Sequence, residues 1–169
     1  MARSRAVKFG IVLALALVLA LPARGQSTAE GSVRGEVRVD AIAERSTTAV
    51  QGGAGVQLPA GYYARVGVVA ALGTDASASK GAARHLDGRV DVVGRFLLDP
   101  FRQSRWGLSV GAGVSVRSEY GKPLRPLLLT VADLEGPRSA GGVSPAFQVG
   151  LGGGVRVGMA LRWGDRTVR

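Results

Sequence analysis

The chain has 169 residues, 22 of them Lys or Arg against 12 Asp or Glu, for a formal net charge of +10, and it contains no cysteine. That length suits one domain with a sizeable core rather than two, and the missing thiols exclude disulfides, thiolate metal sites and a lipid-modified cysteine. Its 26 glycines lie within apolar stretches rather than in linkers, which argues against a low-complexity chain and, over 52–55, 107–113 and 150–154, against helix.

The chain opens like a secretory leader. Arg3, Arg5 and Lys8 precede an apolar run over 9–21, and Ala23-Arg24-Gly25 puts small residues at the two positions that matter for cleavage. The run is shorter than the roughly 17 to 25 residues of a spanning helix. Residues 1–25 are therefore expected to be a cleaved signal peptide, and 26–169 a single domain outside the cytoplasm. Arg3, Arg5, Lys8 and Arg24 leave with the leader and no acid does, so the charge falls by four, from +10 to +6.

From there the dominant pattern has period two, which sends successive side chains to opposite faces of a strand. Over 33–44 one face carries Val33, Gly35, Val37, Val39, Ala41 and Ala43, and the other Arg34, Glu36, Arg38, Asp40, Ile42 and Glu44, with only Ile42 out of place. A second strand is predicted over 49–58, ended by Pro59-Ala60-Gly61, and a third over 62–73, followed by a polar loop over 74–84. In the fourth, Leu86, Val90, Val92, Phe96 and Leu98 oppose Asp87, Arg89, Asp91 and Arg95, before Asp99-Pro100 turns the chain. The fifth, over 105–117, sets Trp106, Leu108, Val110, Val114 and Val116 against Arg, Gly and Ser. The sixth, about 124–134, is nearly continuous in apolar residues, so periodicity alone leaves a buried helix open there.

From Pro145 to Trp163 one parity holds throughout, in Phe147, Val149, Leu151, Val155, Val157, Met159, Leu161 and Trp163. This stretch is one long strand or a hairpin. A loop at Gly152-Gly153-Gly154 would set Leu151 opposite Val155, Val149 opposite Val157 and Phe147 opposite Met159, in keeping with common three-residue hairpin loops. The hairpin brings the count to eight strands.

If eight strands run up and down, the aromatics sort by rim. Tyr62, Tyr63, Phe96, Phe101, Trp106, Phe147 and Trp163 fall at one rim and Tyr120 at the other. Aromatic bands at headgroup level are a feature of transmembrane barrels. In such a barrel Arg34, Glu36, Arg38, Asp40, Arg65, Asp87, Arg89, Asp91, Arg95, Arg105, Arg117, Arg156 and Arg162 would project into the lumen and pair there, while the aliphatic faces meet lipid. On a soluble sandwich the same residues would form the solvated surface. The pattern resembles the small eight-stranded outer-membrane β-barrel family, whose familiar member is the transmembrane domain of outer membrane protein A. The resemblance covers about 33–163 and implies an antiparallel up-and-down barrel. It departs from the family in that six residues follow Trp163, where such proteins usually end in an aromatic.

No constellation announces a chemistry. His85 is the only histidine and sits at a loop-to-strand junction, so any triad with a histidine base would have to be built on it. The glycines around 111–113 and 150–154 match no dinucleotide or nucleotide fingerprint. Glu36 with Asp40, or Asp87 with Asp91, could share a polar face, but the interleaved arginines make ion pairing the simpler account than acid–base work. The basic excess alternates with acids and lacks stacking aromatics, which argues against nucleic acid. No catalytic, cofactor-binding or metal-binding residue and no cofactor is assigned, and protein partners stay unspecified. The expected function is structural or interactive: an outer-membrane barrel with a charged, poorly conducting lumen, in contact with outer-membrane lipid or lipopolysaccharide. The alternative is a soluble periplasmic barrel or sandwich binding a small apolar ligand. The two predict opposite faces, since Val37, Val90 and Val110 meet lipid in the first and each other in the second.

Overall fold

A computed structural model describes residues 32–45, 47–77, 85–101, 103–119 and 122–164, the side chains of 75–77 excepted. The proposed leader and Tyr120 lie outside these residues. Eight strands are present: β1 (Arg34–Ala43), β2 (Thr47–Pro59), β3 (Ala64–Ser77), β4 (His85–Leu97), β5 (Gly107–Glu119), β6 (Arg125–Glu135), β7 (Val143–Leu151) and β8 (Val155–Gly164). Each is antiparallel to its sequence neighbours, and β1 pairs with β8 to close the ring. Closure leaves no whole strand as an edge to recruit another chain. The all-β, eight-stranded up-and-down barrel expected from the alternation is thus borne out.

Polar and apolar residues alternate in β1 because each face meets a different medium. Glu36, Arg38, Asp40 and Ile42 are buried, while Val37 and Val39 are exposed, at 42% and 59%. Ile42, the one residue out of pattern, lies on the buried face. β7 and β8 form the hairpin, with Leu151 opposite Val155, Val149 opposite Val157 and Phe147 opposite Met159. Gly153 supports the turn at φ 74°, a left-handed conformation that side chains with a Cβ resist.

The nearly apolar sixth segment is a strand rather than a helix. β6 pairs along its whole length with β5, from Arg117 opposite Arg125 to Gly107 opposite Glu135. With β7 it pairs only from Thr130 opposite Leu151 to Glu135 opposite Ala146. Residues 125–129 therefore have a ladder partner on one side alone, which is where a strand tolerates Pro126, since proline has no N–H to offer a second neighbour. Leu129 and Val131 face inward and pack with Val93 as an apolar cluster inside the ring.

Several boundaries differ from those expected. β3 starts at Ala64 and runs to Ser77, so Tyr62 and Tyr63 belong to the preceding turn, and the loop expected from Thr74 is strand at its start. That turn closes through an Ala60 N–H donating to the Ala64 carbonyl at 2.9 Å. β5 starts at Gly107, which leaves Arg105 in the β4–β5 connection and exposed rather than in the lumen. Here the Asp99 carboxylate accepts from the Gln103 and Ser104 amides at 3.0 and 2.9 Å, holding the connection as a compact turn. β7 starts at Val143, so Phe147 sits within the strand instead of opening it.

Candidate functional site

The two faces of the ring carry the candidate site. One rim, the terminal rim, holds the start of β1, the end of β8 and the β2–β3, β4–β5 and β6–β7 connections. Tyr62, Tyr63, Phe96, Phe101, Trp106 and Trp163 all lie at or near it and are all exposed. Tyr63 stacks on Phe96 with centroids 5.9 Å apart and meets Phe101 edge-on at 6.1 Å. Between the rims the outer face is predominantly aliphatic and includes Val50, Val92, Val110, Val114, Val149 and Met159. Val37 and Val110 face outward, and half-buried Val90 shares that parity. An apolar belt of this extent is rare on a soluble monomer.

The lumen is the reverse. Arg34, Glu36, Arg38, Asp40, Arg65, Asp87, Arg89, Asp91, Arg95, Arg117, Arg156 and Arg162 lie on the inner face as expected, Arg34 and Arg65 being half-buried. The acids that could have suggested paired catalytic carboxylates are each held by guanidiniums. Glu36 meets Arg162 at 3.0 Å and Arg38 at 3.4 Å. Asp40 takes Arg38 at 2.6 Å and is also bound by Arg89. Asp91 lies 2.7 Å from Arg156 and 3.1 Å from Arg89, and Asp87 lies 2.7 Å from Arg117.

Reading the inner face as one charged layer missed Asp133, Glu135 and Gln148. Asp133 accepts from Arg162 at 2.7 Å, Arg95 at 3.0 Å and Gln148 at 2.8 Å. Glu135 faces Arg34 at 3.0 Å and Arg162 at 3.5 Å. Gln148 also binds Arg38. The network then continues without a break from rim to rim. At its far end Arg89 donates to Gln51 at 2.7 Å, Gln51 donates to Asp87 at 2.8 Å, and Arg117 joins Asp87 to Glu44, the last at 2.6 Å. Burying charges in this way is tolerated only when nearly all find partners. Chemically the arrangement is a plug: its carboxylates are engaged, and the apolar trio of Val93, Leu129 and Val131 fills further lumen.

His85 begins β4 and is exposed, opposite Asp75 in the β3–β4 register. Among the described residues no group of three or more His, Asp or Glu is arranged to hold a metal ion. The glycine clusters lie in β5 and in the β7–β8 hairpin, as strand and turn glycines.

Neither a protein family nor a curated protein matches the chain. Solved structures do. The crystal structure of Neisserial surface protein A covers 80% of this chain and 100% of its own, at 12% identity and a TM-score of 0.54. The solution structure of the de novo designed TMB2.3 covers 83% and 99%, at 12% identity and a TM-score of 0.49. At these identities the likeness to the Neisserial protein concerns the fold, and it agrees with the closed ring described above.

Proposed function

We propose that the chain is a membrane-spanning barrel of the bacterial outer membrane with a structural or interaction role and little or no conductance. The observation that carries this reading is the inversion of its faces: charges inside, a predominantly aliphatic belt outside. In water that belt would be a large apolar surface, whereas in a bilayer it meets its own kind. Strands of 9 to 14 residues have the reach that a tilted transmembrane strand needs. A soluble barrel holding an apolar ligand would need its aliphatic residues inside, where this lumen is crossed by ion pairs. The Neisserial protein, by its name a surface protein, has a ring of the same kind.

In this reading residues 1–25 are the export signal, 26–169 the barrel domain, and the partners of the outer belt are outer-membrane lipid or lipopolysaccharide. The terminal-rim aromatics anchor the ring at one headgroup layer. No catalysis is assigned. The test is to fractionate cells, extract the protein in detergent and compare gel mobility with and without boiling. A heat-dependent shift of protein from the outer-membrane fraction is expected, with negligible current across planar bilayers. Recovery in the aqueous periplasmic fraction without detergent would overturn the reading.

A further inference from the structure

The lumen opens at the terminal rim into a polar vestibule of about 150 Å³. Arg34, Arg65, Arg95 and Arg162 line it, against the carboxylates of Glu135 and Asp99. Those two are already committed, Glu135 to Arg34 and Arg162 and Asp99 to the amides of its own turn. Arg95 is different from the other arginines of the plug. Its Nε donates to Asp133 at 3.0 Å, yet its Nη1 and Nη2 have no hydrogen-bond partner although the residue is only 3% exposed. Asp133 is itself shared with Arg162 and Gln148, and it meets Arg95 through Nε alone, so the fork gains nothing from it.

Buried donors without partners are costly, and such groups commonly mark a place where something else binds. The fork is also given room. A Cβ on Gly67 would overlap Arg95 Nη1 and come within 3.7 Å of Gln57 Cγ, so the bare glycine provides the shelf on which the guanidinium lies. A guanidinium fork anchored through Nε, with both terminal nitrogens buried and unpartnered, has the donor set for bidentate recognition of an oxyanion. The vestibule has room for a small tetrahedral ion. The fork points inside the ring of strands, whereas bilayer lipid touches the outer face, so the ligand must arrive from solution.

We propose that this vestibule binds a small tetrahedral oxyanion from solution, inorganic phosphate or a compact phosphomonoester, on the Arg95 fork with Arg65 and Gln57 beside it. The site belongs to the interior of the ring and does not depend on whether the ring sits in a bilayer. Its failure is therefore distinguishable from failure of the membrane reading.

The experiment titrates the folded full-length barrel with inorganic phosphate at constant ionic strength, followed by phosphorus NMR line broadening and by calorimetry. Saturable binding to one site is expected. R95Q should weaken it by about tenfold or more, as loss of a charge-assisted bidentate contact does. R65Q should weaken it less, and R45Q, at the opposite rim, should leave it unchanged. Gel mobility without boiling reports whether each variant is folded, and if R95Q is not, the half-buried rim variant R65Q carries the test. No saturable binding by the wild type overturns the proposal. So does binding that folded R95Q leaves intact, or that R65Q leaves intact where R95Q does not fold. Binding to phosphatidic acid vesicles but not to free phosphate overturns it as well, by moving the ligand to a headgroup.

Discussion

Replacing Arg162 with Met tests the plug at its most connected point. The guanidinium is 3% exposed and reaches three carboxylates, Glu36 at 3.0 Å, Asp133 at 2.7 Å and Glu135 at 3.5 Å. Their remaining partners are unequal. Asp133 keeps Arg95 and Glu135 keeps Arg34, but Glu36 is left with Arg38 at 3.4 Å and the Gln57 amide at 2.6 Å. Breaking a buried pair from one side typically costs about 3 to 5 kcal/mol, because the other charge stays buried without compensation. With a urea slope of about 2 kcal/mol per molar, the unfolding midpoint of R162M should fall by about 1.5 to 2.5 M. The double variant R162M/E36Q removes the stranded charge along with its partner. It should regain part of the loss, with a coupling energy above about 1 kcal/mol. The assay is urea unfolding of the detergent-folded or vesicle-inserted protein, followed by tryptophan fluorescence. A midpoint shift for R162M below about 0.5 M, or strict additivity in the double variant, would refute the reasoning.

Three further outcomes test the two faces and the hairpin. V92R places a cation on the outer face midway along β4 and should cost about 2 to 4 kcal/mol of membrane-inserted stability; insertion and gel mobility equal to wild type would count against a lipid-facing belt. L129A should cost about 2 to 5 kcal/mol by opening a cavity against Val93 and Val131, whereas L128A, at the neighbouring position that is 83% exposed, should cost far less in the same denaturation assay. Equal costs would mean that the parity of β6 is misassigned. G153A forces a Cβ into a left-handed turn and should lower stability by about 1 to 2 kcal/mol, and an unchanged midpoint would show that the hairpin turn relaxes freely.

Parity carried most of the fold. In β1, β4 and β8 the two faces meet different media, so the charged residues keep one parity and could be named residue by residue, although Ile42, Val93 and Ala160 share that inner face. The hairpin register followed from keeping one parity across Gly152-Gly153-Gly154. β6 was opaque because its inner face changes character along its length: Leu129 and Val131 belong to the apolar cluster, and only Asp133 and Glu135 join the ion pairs. Those two acids were visible as polar residues at one parity, but the run of leucines before them masked the period. Arg105 was misplaced because its alternation with Trp106 continues into a turn held by Asp99, where parity no longer reports a face. The parity run begins at Pro145 and so puts Phe147 at the rim, whereas β7 itself begins two residues earlier, at Val143. The vestibule lay beyond sequence reasoning altogether, since an unpaired guanidinium fork depends on the distances of its neighbours.

The pairing of β1 with β8 has a kinetic side. Its two strands stand at opposite ends of the ring's sequence, and the Arg162 to Glu36 ion pair beside that seam joins residues 126 positions apart. Contacts so distant in the chain repay their loop-closure entropy only after the intervening hairpins have formed. Hairpins can zip in sequence order, each pairing with the last, while the first and last strands wait as open edges. The charges of β8 then find their counterparts on β1 in the same event that seals the ring. Arg162 thereby works as a latch, and its loss should prolong the life of open, aggregation-prone intermediates as well as weaken the closed ring.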